Sequence, residues 1–146
     1  MEQGDVEPLT WSLAQRGRGV SAPELLAAIE FMHGFGRRLA AWWGSGFDLL
    51  LTPTQGAPPP EIGYISSTPE EPLRAFLRST PYGTFTLPFN MSGQPAVSLP
   101  GHLTEAGLPV GVQIVAAYGR EDVLLRVAAQ VEEAGMWKGR RAAVHG

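Results

Sequence analysis

Almost nothing in residues 84–116, TFTLPFNMSGQPAVSLPGHLTEAGLPVGVQIVA, can do acid, base or nucleophilic chemistry, and the candidates elsewhere in the chain are scattered. Ser66 and Ser67 are adjacent in ISSTPE, without flanking glycines to open a tight catalytic turn. His33, His102 and His145 are isolated from one another, with no metal-ligand spacing such as HExxH. Asp48 and Asp122 are the aspartates after Asp5, and each reads as local in role. A Ser–His–Asp triad assembled from distant positions is the form of catalysis these residues leave open. Lys138 is the one lysine and lies in the tail, and the other ten cations are arginines. With no cysteine, the chain has no thiolate nucleophile, thiolate metal site or disulfide.

Two polar side chains sit in otherwise apolar surroundings. Gln113 interrupts the run GVQIV, and an amide buried there must find partners because unpaired burial is costly. Its plain reading is a structural bond to a neighbouring loop, and its functional reading is substrate contact. Asn90 in PFNMSG suits a turn, where its side chain can satisfy nearby backbone. Ser98, in AVSLP, reads as a small residue that packs closely.

The elements that must position these groups alternate between helix and strand. Residues 8–16 read as a short helix with Pro8 in its first turn and Gly17 as its stop. Ser21 and Glu24 have capping-box spacing ahead of a long helix to about Trp43, closed by Gly44. Leu25, Ile29, Met32, Gly36, Leu39 and Trp43 recur at steps of three and four on its apolar face, and Gly34 and Gly36 weaken the helix and are expected to let a neighbour approach closely. FDLLLTP at 47–53 is a continuous apolar run, expected as a strand buried on both faces of a parallel sheet. Thr68 and Glu71 form a second capping box for a helix through Arg78, with Leu73, Phe76 and Leu77 inward. Residues 84–92 fit either a short helix or an ordered turn. AVSLP at 96–100 and PVGVQIVA at 109–116 read as antiparallel strands joined by GHLTEAGL, which places His102 in the loop. Along the second strand Val110, Val112, Ile114 and Ala116 face one way, and Gly111, Gln113 and Val115 the other. A last helix runs from about Glu121 to Ala134, with Leu124, Val127, Ala128 and Val131 as its core face and Gly135 as its stop.

This order predicts an α/β layer fold: a partial mixed β-sheet layered with helices. Three strands are few for so much helix, so residues 1–146 read as a single partial domain whose sheet continues in missing sequence or in a partner. Hydrophobic residues make up 44% of the chain and the net charge is −3, which argues against disorder and against a basic nucleic-acid groove. No apolar run reaches the roughly 20 residues needed to span a bilayer. Residues 1–20 lack a signal-peptide pattern, so the expected setting is the cytoplasm.

PFNMSGQPAVSLP followed by GLPVGVQIVA resembles the C-terminal region of amidase signature enzymes. The resemblance runs forward into REDVLLRVAAQVEEAG and back through FDLLLTPTQGAPPP to SAPELLAAIEFMHGFGRRLA, covering about Val6 to Arg141. MEQGDVEPLTW enters the family pattern within a few residues, as expected of an internal restart or a cut chain.

The resemblance implies amide hydrolysis by a serine nucleophile, with a second serine on a cis peptide relaying protons to a lysine and with no cofactor. Those residues belong to a glycine- and serine-rich signature in the family's N-terminal part, which this sequence does not contain. No catalytic residue is therefore carried over to it, Ser66, Ser67 and Lys138 included. What the resemblance does imply is a pocket wall. In open α/β sheets ligands gather at the carboxyl ends of strands. By that rule, and by the resemblance, Thr54 and the segment containing Thr84 and Phe85 are expected to line a substrate pocket, with Asn90 and Gln113 as further candidates.

In amidases that supply ammonia to tRNA-linked substrates, an acidic residue often precedes an aromatic–Thr–x–Pro stretch. Here that stretch is FTLP at 85–88, preceded by Gly83 and Thr84, which favours a broader amidase over a transamidation enzyme. The partners expected are a small-molecule amide substrate in the intact enzyme and an N-terminal amidase chain or a second copy, with no nucleic acid and no membrane. The alternative is a non-catalytic binding or interaction module built on the same remnant.

Overall fold

The computed structural model describes residues 2–135, 137 and 139. Its elements are α1 (Pro8–Arg18), α2 (Ala22–Trp42), β1 (Leu49–Pro53), α3 (Arg74–Gly83), α4 (Leu87–Ser92), β2 (Ala96–Leu103), β3 (Pro109–Ala116) and α5 (Glu121–Glu133). The α/β class expected from the sequence is the class observed.

The sheet has the order β1–β3–β2, and both pairings are antiparallel. The β2–β3 hairpin forms as expected. It closes where Thr104 N–H donates to the Leu108 carbonyl at 2.9 Å, and the Thr104 hydroxyl accepts from Leu108 N–H. β2 continues past Pro100 through a register shift to Leu103, so His102 pairs with Val110 on the strand instead of lying in the loop. β1 departs further from expectation. It pairs antiparallel with β3, and Leu51 is 62% exposed instead of buried. A continuous apolar run reports burial but not strand direction, and the faces that would cover Leu51 are not supplied within the described residues.

Alternation along β3 divides the sheet as read from the sequence. Ile114 and Ala116 are buried with Leu124 of α5, and Leu49, Val97, Leu99 and Val127 pack around them. The opposite face carries Val115, fully buried, and Gln113, 4% exposed.

The Ser21–Glu24 capping box forms: Ser21 N–H donates to Glu24 Oε2 at 2.8 Å, and Glu24 N–H to Ser21 Oγ at 3.4 Å. α2 gives way to a short turn at Trp43–Ser45, closed by Gly46 in the left-handed region instead of by Gly44. Gly36 packs against Ser92 of α4, so the close approach expected there is present, whereas Gly34 meets only the Arg37 and Arg38 side chains of its own helix. The first half of α2 projects, leaving Leu25, Ile29 and Met32 exposed.

Thr68 and Glu71 close a turn, with Glu71 N–H donating to Thr68 Oγ1 at 3.1 Å, and do not cap a helix. Helix α3 begins only at Arg74, beyond Pro72, and runs past Arg78 through Pro81 to Gly83. Phe76 and Leu77 are exposed on it, not inward. Residues 87–92 adopt the helical option, and Gly93 ends α4 at φ 73°.

Candidate functional site

A polar band crosses the sheet face opposite α5. Thr52, Gln113 and Ser98 are aligned across β1, β3 and β2, so their side chains share that face. Gln113 Nε2 donates to Thr52 Oγ1 at 3.0 Å and to the Phe85 carbonyl at 2.9 Å. The structural bond to a neighbouring loop is thus present, and it fixes the α3–α4 junction onto the sheet.

Two residues further along β3, Gly111 accepts from Thr54 N–H at 3.0 Å. Above it the Thr54 and Ser98 hydroxyls meet at 2.6 Å. Ser98 thus packs closely over Gly111, as its sequence context suggested, and is also half of a hydroxyl pair. These three residues form the floor of an open cleft of about 400 Å³, walled by the loop after β1 and by Pro109 and Val110.

Of the residues expected to line a pocket, Thr54, Phe85 and Gln113 belong to this band and its supports. Thr84 is exposed and donates its hydroxyl to the Thr80 carbonyl of its own helix. Asn90 is exposed on α4. Of the five expected residues only Thr54 lines the cleft. Ser98 and Gly111 were not singled out as a pair from the sequence. The signal was a glycine inside a strand, which often marks close approach by another group.

The other chemistry-bearing residues have local partners or lie apart. Ser66 Oγ donates to the Gly63 carbonyl, and Ser67 Oγ donates to the Pro72 carbonyl while accepting from Ala75 N–H. His33 and His102 are exposed on separate elements. The Asp122 carboxylate is held by Arg120 at 2.9 Å and Arg126 at 2.8 Å. The hydrogen bond from Arg120 leads in lowering its pKa to about 2. Lys138, Arg140, Arg141 and His145 lie outside the described residues. Among the described residues, no group of three or more His, Asp or Glu could hold a metal ion.

The Amidase family profile matches residues 5–125. The chain belongs to the amidase family. This amidase chain is 42% identical over 146 residues to the 6-aminohexanoate-cyclic-dimer hydrolase of Paenarthrobacter ureafaciens, covering 97% of itself and 30% of that protein. It superposes on a solved structure of 6-aminohexanoate cyclic dimer hydrolase with a TM-score of 0.89 at 40% identity, covering 98% of this chain and 31% of the other. The structure of that hydrolase complexed with substrate gives a TM-score of 0.88. The amidase chain therefore spans about a third of the length of these relatives, at their C-terminal end.

Proposed function

We propose that this chain is the C-terminal part of an amide hydrolase: one piece of a larger domain that completes the sheet, lines the acyl pocket and is inactive alone. The supporting observation is its superposition, over nearly its whole length, on a third of a 6-aminohexanoate cyclic dimer hydrolase. The nucleophilic serine, its relay serine and the lysine would come from the portion of the fold outside this sequence. The substrate is a small neutral amide, in keeping with what those relatives are named for. Thr54 lines the pocket, Gln113 and the Phe85 carbonyl brace the sheet beside it, and Thr84 and Asn90 face the remainder of the fold. We place the protein in the cytoplasm as part of this reading.

The test is complementation. The chain is mixed with the N-terminal two-thirds of the Paenarthrobacter ureafaciens hydrolase, and cleavage of 6-aminohexanoate cyclic dimer is followed. Activity in the mixture and none in either part alone is the expected result. A stable complex without hydrolysis would overturn the reading.

The exposed apolar residues of α2 favour one other reading, a non-catalytic module that associates with itself through this helix. Sedimentation showing a defined oligomer, together with failed complementation, would select it.

A further inference from the structure

We propose that the groove between α1 and α3 binds a small amphipathic carboxylate, with its charged head among Arg16, Arg74 and Arg78 and its apolar body against Trp11. The groove shares no lining residue with the cleft over Gly111, so the inference goes beyond the amidase reading.

Two open clefts of about 370 and 450 Å³ have Ser12, Arg16 and Pro72 in common and so form one groove. Pro8, Trp11, Ser12, Gln15 and Arg16 recur at helical steps, which brings them to one face of α1. Arg74, Leu77 and Arg78 do the same on α3. The two ends of the groove differ in chemistry. At one end Pro8, Trp11, Pro69 and Pro72 present apolar surface, with Gln3 and Gln15 beside them. At the other, Arg16, Arg74 and Arg78 meet a single carboxylate, that of Glu71.

Charge sets the head of the ligand. Three cations and one anion leave this end net positive, in a chain whose net charge is −3. The Glu71 carboxylate is 64% exposed and is engaged by Arg74 at 3.2 Å. Arg18 adds positive charge nearby, 5.8 Å over the Trp11 ring. Like charges gathered in one cleft repel, and an anion between them removes that cost.

The donors are held ready. A guanidinium has five N–H groups. Arg74 commits three of them, to the Ser66 carbonyl at 2.8 Å, to Ser66 Oγ at 3.1 Å and to Glu71. Arg78 commits one, to the Tyr64 carbonyl at 3.0 Å, and lies 4.7 Å over the Tyr64 ring. These contacts fix both guanidinium groups before a ligand arrives, which lowers the cost of ordering them. Arg16, on the other helix, has no ion-pair partner among the described residues. A planar carboxylate matches the guanidinium fork, whereas an ammonium is repelled and a neutral amide forgoes the charge.

Spacing sets the body. Trp11 and Arg16 stand five residues apart on α1, about 7.5 Å along its axis. An aryl or alkyl group at that distance from the carboxylate reaches Trp11 and the prolines and gains by burial against them.

The test is calorimetric titration of the 146-residue chain with 4-phenylbutyrate, with 4-phenylbutyramide and inorganic sulfate as controls. Saturable one-site binding is expected for 4-phenylbutyrate alone. It should weaken about tenfold in Arg16→Gln, and also when salt is raised from about 50 to about 500 mM. Arg16→Gln should leave the thermal midpoint in place or raise it, which separates lost binding from lost folding. No binding of 4-phenylbutyrate, equal binding of the amide or of sulfate, or undiminished affinity in Arg16→Gln would overturn the site. So would binding that vanishes once the chain is complexed with the N-terminal two-thirds of the Paenarthrobacter ureafaciens hydrolase, since carboxylates of that portion would then hold the arginines. Complementation can fail while 4-phenylbutyrate still binds, and it can succeed when 4-phenylbutyrate does not, so this result and the amidase reading stand or fall apart.

Discussion

The side-chain amide of Gln113 donates to the main-chain carbonyl of Phe85 at 2.9 Å, joining the central strand to the segment between α3 and α4. The same nitrogen donates to Thr52 on the neighbouring strand, so one buried side chain ties three parts of the chain together. Gln113→Leu keeps the bulk and removes both bonds, leaving the Phe85 carbonyl without this donor. The expected loss is about 1–3 kcal/mol, the usual consequence of stranding a buried polar group. Urea denaturation checks this through a lowered midpoint at unchanged slope, and an unmoved midpoint would mean that the amide contributes nothing there.

Gln113 also illustrates what the sequence made legible. An amide in GVQIV needs a partner, and the alternation along β3 places it on one face with Gly111 and Val115. Both inferences rest on local pattern, as does the Ser21–Glu24 capping box, and all three are seen in the structure. Features set by distant chain were not legible. The direction of β1 depends on which strand pairs with it. The exposure of Phe76 and Leu77 depends on what covers α3. The capping-box pattern at Thr68–Glu71 is as good locally as that at Ser21–Glu24, yet Pro72 stands where a helix would need another N–H. Nothing local in AVSLP marks the hydrogen bond of Ser98, because its partner, Thr54, lies 44 residues away and meets it over a glycine.

Gln94 bears on stability in the opposite sense from Gln113. It is 6% exposed, and neither atom of its amide has a hydrogen-bond partner among the described residues. Leu39, Trp42, Leu50 and Phe89 line the same small cavity. Gln94→Leu exchanges an unpaired amide for an apolar group of similar size, and is expected to stabilise the isolated chain by about 1–3 kcal/mol. A thermal midpoint that rises supports this, and one that falls would show that the amide is hydrogen-bonded in solution.

Asp122 at the start of α5 contributes to the acid side of stability. The hydrogen bond from Arg120 is the largest cause of its lowered pKa, with Arg126 adding to it, and the value falls to about 2. A carboxyl group with its folded pKa below its unfolded value stabilises the fold above the unfolded value, about 3.9. That contribution is lost as pH falls through the folded value. Asp122→Asn should therefore flatten the decline in stability between about pH 4 and pH 2, and high salt should blunt the wild-type decline because these groups are exposed. Denaturation midpoints across that window, in low and high salt, measure both effects. An identical acid profile in the variant would remove Asp122 from the account.

The projecting half of α2 separates the chain's own stability from its function. Leu25 is 54% exposed and Met32 40%, so neither gains much from this chain's core. Replacing both with glutamine should change the stability of the isolated chain by no more than about 0.5 kcal/mol, as expected of surface positions. On the proposed reading that apolar face docks on the N-terminal portion, where polar groups would be desolvated. The double variant is therefore expected to keep its denaturation midpoint while losing most of the hydrolysis recovered with the N-terminal part of the Paenarthrobacter ureafaciens enzyme. Complex formation followed by sedimentation and activity followed in the same samples make the comparison direct. Full recovery of hydrolysis by the variant would show that this face of α2 does not touch the catalytic portion.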